Sequence, residues 1–192
     1  MRHDELTPQL LTVSGLFEDG ATYTVPVYQR NYAWRAEQIE QLISDIDDAR
    51  KESEQGYFLG NLVTQKAPGG SGKNFEVVDG QQRLTTLYLL LTFLEGDGAR
   101  PFMLHRGRLR YESRARATEA LRLAGQKVFL PSGRSEENSS KEDDGIRLGF
   151  NVIQQMIRQH EVLRIKDERS KFADFLRTKV TVVRTSLPLG TD

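Results

Sequence analysis

Val78-Asp79-Gly80-Gln81-Gln82-Arg83-Leu84-Thr85-Thr86-Leu87 is the stretch on which the reading of this 192-residue chain turns. The residues before it, Phe75 to Val78, are β-formers, and Asp79-Gly80 is a turn signal. From Gln81 to Leu94, Leu84, Leu87, Leu91 and Leu94 recur at the spacing of one helix face. The pattern predicts a strand, a tight turn and a helix. A helix that starts this way presents unpaired N–H groups and a positive dipole end, which suits phosphate. Arg83 adds a planar fork of donors for phosphate oxygens, and Gln81 and Gln82 offer uncharged groups that can orient water, ribose or base. Asp79 can hold a divalent ion or polarise a water. The competing reading is a plain β-turn followed by a polar first helical turn.

Just upstream, Tyr57–Gln65 and Phe75–Val78 read as two strands of a hairpin around Pro68-Gly69-Gly70-Ser71-Gly72. Gly69-Gly70-Ser71-Gly72-Lys73 has the flavour of a P-loop, but Ala67 stands where the first glycine belongs, Asn74 replaces Ser or Thr, and a strand follows; it reads as a loop. Further towards the N-terminus, Ala36–Arg50 carries Ile39, Leu42, Ile43, Ile46 and Ala49 at helical spacing. Leu6–Phe17 suggests a short helix, and Tyr23–Val27 an extended segment kept at a sheet edge or end by Pro26. Between these lies Val25-Pro26-Val27-Tyr28-Gln29-Arg30-Asn31-Tyr32-Ala33-Trp34. Its aromatics and donors can stack a base and grip a phosphate, or can serve as helix-entry packing with Arg30 solvated.

Downstream, Arg100–Glu112 suggests two short strands, and Ser113 an N-cap for a helix to about Ala124. Pro131–Gly145 is nearly devoid of large apolar groups and is expected to be a mobile acidic loop. Helices marked by Ile146, Phe150, Ile153 and Ile157, and by Phe172, Phe175 and Leu176, precede a last strand at Val180–Val183. The expected organisation is a core over residues 1–130, the loop 131–145, and a helical extension with the last strand over 146–192. Arg106, Arg108, Arg110 and Arg114 belong to the one strongly basic stretch. They are candidates for the DNA backbone, sharing a face if 106–110 is a strand, or form a solvated face offset by Glu136, Glu137, Glu142, Asp143 and Asp144.

Lysine plus arginine equals aspartate plus glutamate at 27 each, so a nucleic-acid partner must be met by a local patch. The absence of cysteine excludes disulfides and zinc-thiolate sites. The polar N-terminus carries no apolar run of signal-peptide length, and Leu87–Leu94 is too short to span a bilayer, so a cytoplasmic protein without membrane contact is expected. His3, His105 and His160 are isolated and have no metal-ligand spacing.

Three blocks in one order, Tyr28-Gln29-Arg30-x-Tyr32-x-Trp34, Tyr57-Phe58-Leu59-Gly60 and Val78 to Leu87, resemble the N-terminal domain of GmrSD-type modification-dependent restriction enzymes, of the ParB and sulfiredoxin-like superfamily. Some relatives sense phosphorothioate DNA. The resemblance covers about Val25 to Leu94 and continues weakly to the end. It implies an α+β fold with a mixed sheet, the Asp-Gly-Gln-Gln-Arg run at a strand-to-helix junction, and a helical extension. It also implies an NTP-binding and NTP-hydrolysing domain, for GTP or ATP with Mg2+, in defence against phage or other foreign DNA that carries modified bases or backbone. Asp79, Gln81, Gln82 and Arg83 are then the expected catalytic group, with Asp79 the candidate metal ligand. Gln29, Arg30, Gly80, Arg83 and Thr85 are expected to bind nucleotide, and Tyr28, Trp34, Arg106, Arg108, Arg110 and Arg114 to meet DNA. In the family, cleavage belongs to a separate C-terminal HNH-type nuclease domain, which nothing in this chain matches. Because the chain stops at Leu189-Gly190-Thr191-Asp192, short of a Phe-Glu-x-x-Asn-x-Arg-Gly-like segment, it is expected to be part of a longer protein. The alternative reading is a DNA-binding module that recognises modified DNA without hydrolysis.

Overall fold

The computed structural model describes residues 7–18, 20–52, 55–67, 73–98, 106–125 and 145–187. Among the described residues the strands are β1 (Thr7–Thr12), β2 (Thr22–Val25), β3 (Tyr57–Lys66), β4 (Asn74–Asp79), β5 (Leu109–Tyr111) and β6 (Val180–Leu187). They form one mixed sheet in the order β1-β6-β3-β4-β2-β5, and helices complete an α+β fold, as the sequence leads one to expect. The helices are α1 (Gly15–Glu18), α2 (Ala36–Glu52), α3 (Gln81–Phe93), α4 (Ala115–Gly125), α5 (Gly145–Gln159) and α6 (Lys166–Thr178).

The expected hairpin is present: β3 and β4 pair antiparallel, with a register shift between Val63 and Thr64. On its other side β4 runs parallel to β2, and β2 parallel to β5. The carboxyl ends of two adjacent parallel strands, β2 and β4, therefore open side by side. From β2 the chain leaves through Pro26 into an irregular strap, residues 26–35, and from β4 it leaves through Gly80 into α3. That arrangement makes a crevice of the kind in which open α/β sheets bind ligands.

Helix α3 is the centre of the molecule. The sequence pattern predicts one leucine face, yet Gln81, Gln82 and every residue from Leu84 to Thr92 are buried. Its threonines make this possible, since Thr86 and Thr92 return their hydroxyls to the carbonyls of Gln82 and Tyr88. The strands lie on one side and α5 and α4 cover the others. Gly149 lets α5 come close, because a Cβ there would stand 2.6 Å from Cε1 of the buried Tyr32.

Two expectations are corrected. Thr7–Thr12 is a strand and not the start of a helix; only Gly15–Glu18 is helical. The antiparallel ladder with β6 decides this over local pattern, and Pro8 is tolerated because β1 is an edge. Of the two strands expected in 100–112, one is β5, and residues 100–105 lie outside the described residues. Ser113 does not cap α4: the helix starts at Ala115 and Ser113 adopts φ 54°, a turn conformation. The glycine-rich loop 68–72 and the acidic loop, except Gly145, lie outside the described residues. Among the described residues no helix is long and apolar enough to cross a membrane.

Candidate functional site

Asp79, Gly80, Gln81, Gln82 and Arg83 line a cleft of about 220 Å³ together with Gln29, Arg30 and Trp34 from the strap. Gly80 makes the junction possible. It sits at φ 88°, and a Cβ there would lie 3.1 Å from the Asn61 carbonyl oxygen and 3.2 Å from Cδ1 of Leu62. No side chain caps α3, so the N–H groups of its first turn face the cleft without a competing hydroxyl or carboxylate.

The two glutamines hold the strap. Gln82 is buried, accepts from the N–H groups of Ala33 (2.8 Å) and Trp34 (3.2 Å), and donates to the Asn31 carbonyl (3.0 Å). Gln81, also buried, donates to the Arg30 carbonyl at 2.5 Å. Gln29 donates to the Val78 carbonyl at 2.8 Å, tying the strap to the last turn of β4. Arg114 reaches over from the start of α4, its Nη2 donating to the carbonyls of Val27 (3.1 Å) and Gln29 (2.6 Å). Tyr32, buried beneath, shares a 2.8 Å hydrogen bond with Thr86, and burial pushes its phenol well above the usual tyrosine range. The amides that the sequence offers for water or ribose are thus engaged with backbone in this structure.

The charged groups are differently disposed. Asp79 and Arg30 are exposed, and no partner holds either side chain among the described residues. Arg83 is half-buried and donates to the Asn61 carbonyl at 3.1 Å. It lies across Gly60, where a Cβ would stand 3.0 Å from its Nη1. One carboxylate and two guanidinium groups therefore border the open N-terminus of a buried helix. Within the cleft Asp79 is the one carboxylate among the described residues, and these residues hold no group of three His, Asp or Glu able to take a metal ion.

Other expected site residues lie elsewhere. Thr85 is fully buried and bonded to the Tyr111 hydroxyl at 2.8 Å, away from the cleft. Tyr28 is 68 % exposed on the outside of the strap. Arg106 forms an ion pair with the buried Glu95, Arg108 donates to the Gly20 carbonyl (3.0 Å), and Arg110 donates to the Thr24 hydroxyl (2.9 Å). Of these three only Arg110 lies in β5, exposed between the buried Leu109 and Tyr111; Arg106 and Arg108 precede the strand, so the shared strand face expected for 106–110 is not formed. Trp34 borders the Asp79 cleft and two neighbouring ones, a role its aromatic character suggested. The sequence reading missed the clamp formed by Gln82, Arg114 and Thr86. Its signal was a buried amide and hydroxyl pattern inside a helix that looked amphipathic.

The family model of the GmrSD restriction endonuclease N-terminal domain matches residues 13–188, far beyond the three blocks that first suggested it. A comparison with curated proteins finds no match.

Proposed function

Since the chain belongs to the family of GmrSD restriction endonuclease N-terminal domains, we propose that it is the NTP-binding and NTP-hydrolysing sensor domain of a restriction system that acts on modified DNA. The observation that carries this reading is the cleft at the N-terminus of α3, where Asp79, Arg30 and Arg83 border a glycine-capped helix start. Helix N–H groups and guanidinium forks are complementary to a polyphosphate.

In this reading Arg83 and the first-turn N–H groups of α3 hold the phosphates and Arg30 closes the wall. Asp79 orients the attacking water or a magnesium ion. Proteins bind Mg2+ through one or two carboxylates completed by substrate phosphates and water. A lone Asp79 therefore fits an ion that arrives with the nucleotide, not a resident one. The water oxygen attacks the terminal phosphorus, the bridging P–O bond breaks, and the diphosphate leaves with the electron pair. Catalysis is positioning and charge stabilisation. Gln81 and Gln82 act through the strap, by fixing the backbone that carries Arg30 and Trp34. A C-terminal HNH-type nuclease domain or partner chain would supply DNA cleavage.

The test is phosphate release from GTP and ATP with magnesium, with and without modified DNA, beside Asp79→Ala and Arg83→Ala. The expected loss of turnover is about a hundredfold or more in each variant. Turnover unchanged in both overturns the assignment. Salt-sensitive DNA binding without phosphate release by the parent chain replaces it with the recognition-module reading.

A further inference from the structure

A roomier cleft than that of Asp79 lies on the other face of the strap. It has a volume of about 690 Å³ and lies between residues 30–36 and helix α5, with Tyr32, Trp34, Leu148 and Val152 as its apolar walls. Among the described residues every charged group that lines it is cationic: Arg30, Arg35 and Arg114. Leu148 stands at its rim, 54 % exposed. Glycines at 145 and 149 let α5 sit directly against the strap at the base of the cleft, since a Cβ at Gly145 would collide with the Tyr32 carbonyl oxygen.

Arg114 gives a second, independent pointer. While its Nη2 serves the strap carbonyls, its Nη1 is buried and has no acceptor among the described residues. A buried charged donor left unmade is expensive, so the site is complementary to an acceptor brought from outside. Volume, an aromatic and aliphatic wall, and cations with no carboxylate beside them among the described lining residues together describe a planar ligand that carries an anion.

We propose that this cleft is a second binding site, distinct from the Asp79 cleft, for one nucleotide unit with its phosphate. The base stacks on Trp34 against Leu148 and Val152, and the phosphate takes Arg35 and the idle Nη1 of Arg114. Arg30 and Trp34 border both clefts, so occupancy on one side is felt by the wall of the other. A free nucleoside monophosphate and one nucleotide of a single strand offer the same chemistry.

Trp34 is the chain's one tryptophan and borders both clefts, so its fluorescence reports a ligand in either and the variants tell the two apart. The experiment titrates the full chain with dGMP and, separately, with a short single-stranded oligodeoxynucleotide, without magnesium or triphosphate. Saturable quenching is expected. Leu148→Glu, a change at an exposed helical position, and Arg35→Ala should each weaken it roughly tenfold or more, while Asp79→Ala and Arg83→Ala leave it unchanged. Tighter binding of the oligonucleotide assigns a strand as the source, and binding of dGMP alone assigns a free nucleotide. Quenching by neither probe, quenching indifferent to Leu148→Glu and Arg35→Ala, or quenching lost in Arg83→Ala overturns the proposal. Retention of labelled GTP with magnesium, measured in parallel, fails on its own if the Asp79 cleft does not bind NTP, and leaves the dGMP result standing.

Discussion

Two arginine-bearing regions meet at the β2 side of the sheet, and they use their charge in opposite ways. In the strap, residues 26–35, the backbone is held at almost every step by Gln29, Gln81, Gln82 and Arg114, and the Arg30 side chain is left over for something else. In the segment 106–110 a turn at Arg106 and Gly107 leads into β5, and the side chains are the ones engaged, Arg106 by Glu95, Arg108 by Gly20 and Arg110 by Thr24. Counting arginines along a sequence measures the second region as the richer in positive charge. Asking which cations have an internal partner ranks the first above it.

The comparison breaks most readily at Gln82. Gln82→Ala removes three hydrogen bonds to the strap from a buried position, at about 1 kcal/mol each. The expected loss in urea unfolding is about 3 kcal/mol, together with loss of nucleotide binding. Asp79→Ala, at an exposed carboxylate, should leave the unfolding midpoint where it was and affect turnover alone. If Gln82→Ala unfolds like the parent chain, the amide is not a clamp.

Alkaline pH sharpens the contrast next, because buried phenols pin both regions. Tyr32 fixes the strap through Thr86; Tyr111, in β5, bonds Thr85, and the Tyr88 hydroxyl accepts from the Gly107 N–H. Burial is the largest cause of the raised pKa of all three, against an ordinary value of 10.0. The native state thus keeps protons that the unfolded chain has released. Stability is complete below the unfolded value and falls as pH rises towards the folded ones. Unfolding midpoints should be flat to about pH 9 and then decline, and Tyr32→Phe should flatten part of the decline. A midpoint independent of pH through this range excludes buried neutral phenols.

How much of this was legible beforehand follows from range. The strand, turn and helix around Gly80 are local in sequence, carried by Phe75–Val78, an Asp-Gly turn and leucine spacing, and they were read correctly. β1 was not, because its identity comes from pairing with β6 at the far end of the chain. The burial of α3 on all sides was hidden by Thr85, Thr86 and Thr92, which read as polar until their hydroxyls are seen to have buried partners. Gly60 stood in a recognised block without a reason, which is the passage of Arg83 across β3. The charged members of the cleft could be named from the motif. Which amides were already occupied depended on where the strap lay.

Within the basic segment, Arg106 is the member whose loss should be felt. Its partner Glu95 is buried, with 7 % of its side chain exposed, whereas the Arg106 side chain is 45 % exposed. Solvent screens the arginine half of the pair, so the cost of Arg106→Ala is set by stranding the carboxylate. A destabilisation of about 1 kcal/mol is expected, and Arg106→Ala with Glu95→Gln should recover part of it. Failure of the double change to recover anything would place the cost in lost packing of the arginine stem.

Arg110 should give the smallest effect and the most pointed one. Its one described partner is the exposed-side hydroxyl of Thr24, a neutral acceptor, so Arg110→Ala should change stability by no more than about 0.5 kcal/mol. A guanidinium so lightly held can be exchanged for a phosphate at little internal cost, unlike that of Arg106. If this face meets a DNA backbone, Arg110→Ala lowers the slope of log affinity against log salt by about one counterion, and Arg106→Ala lowers it less. Equal slopes for the parent and both variants would assign the whole segment to the fold. Any cationic recognition of DNA would then fall to Arg30 and Arg35, on the strap.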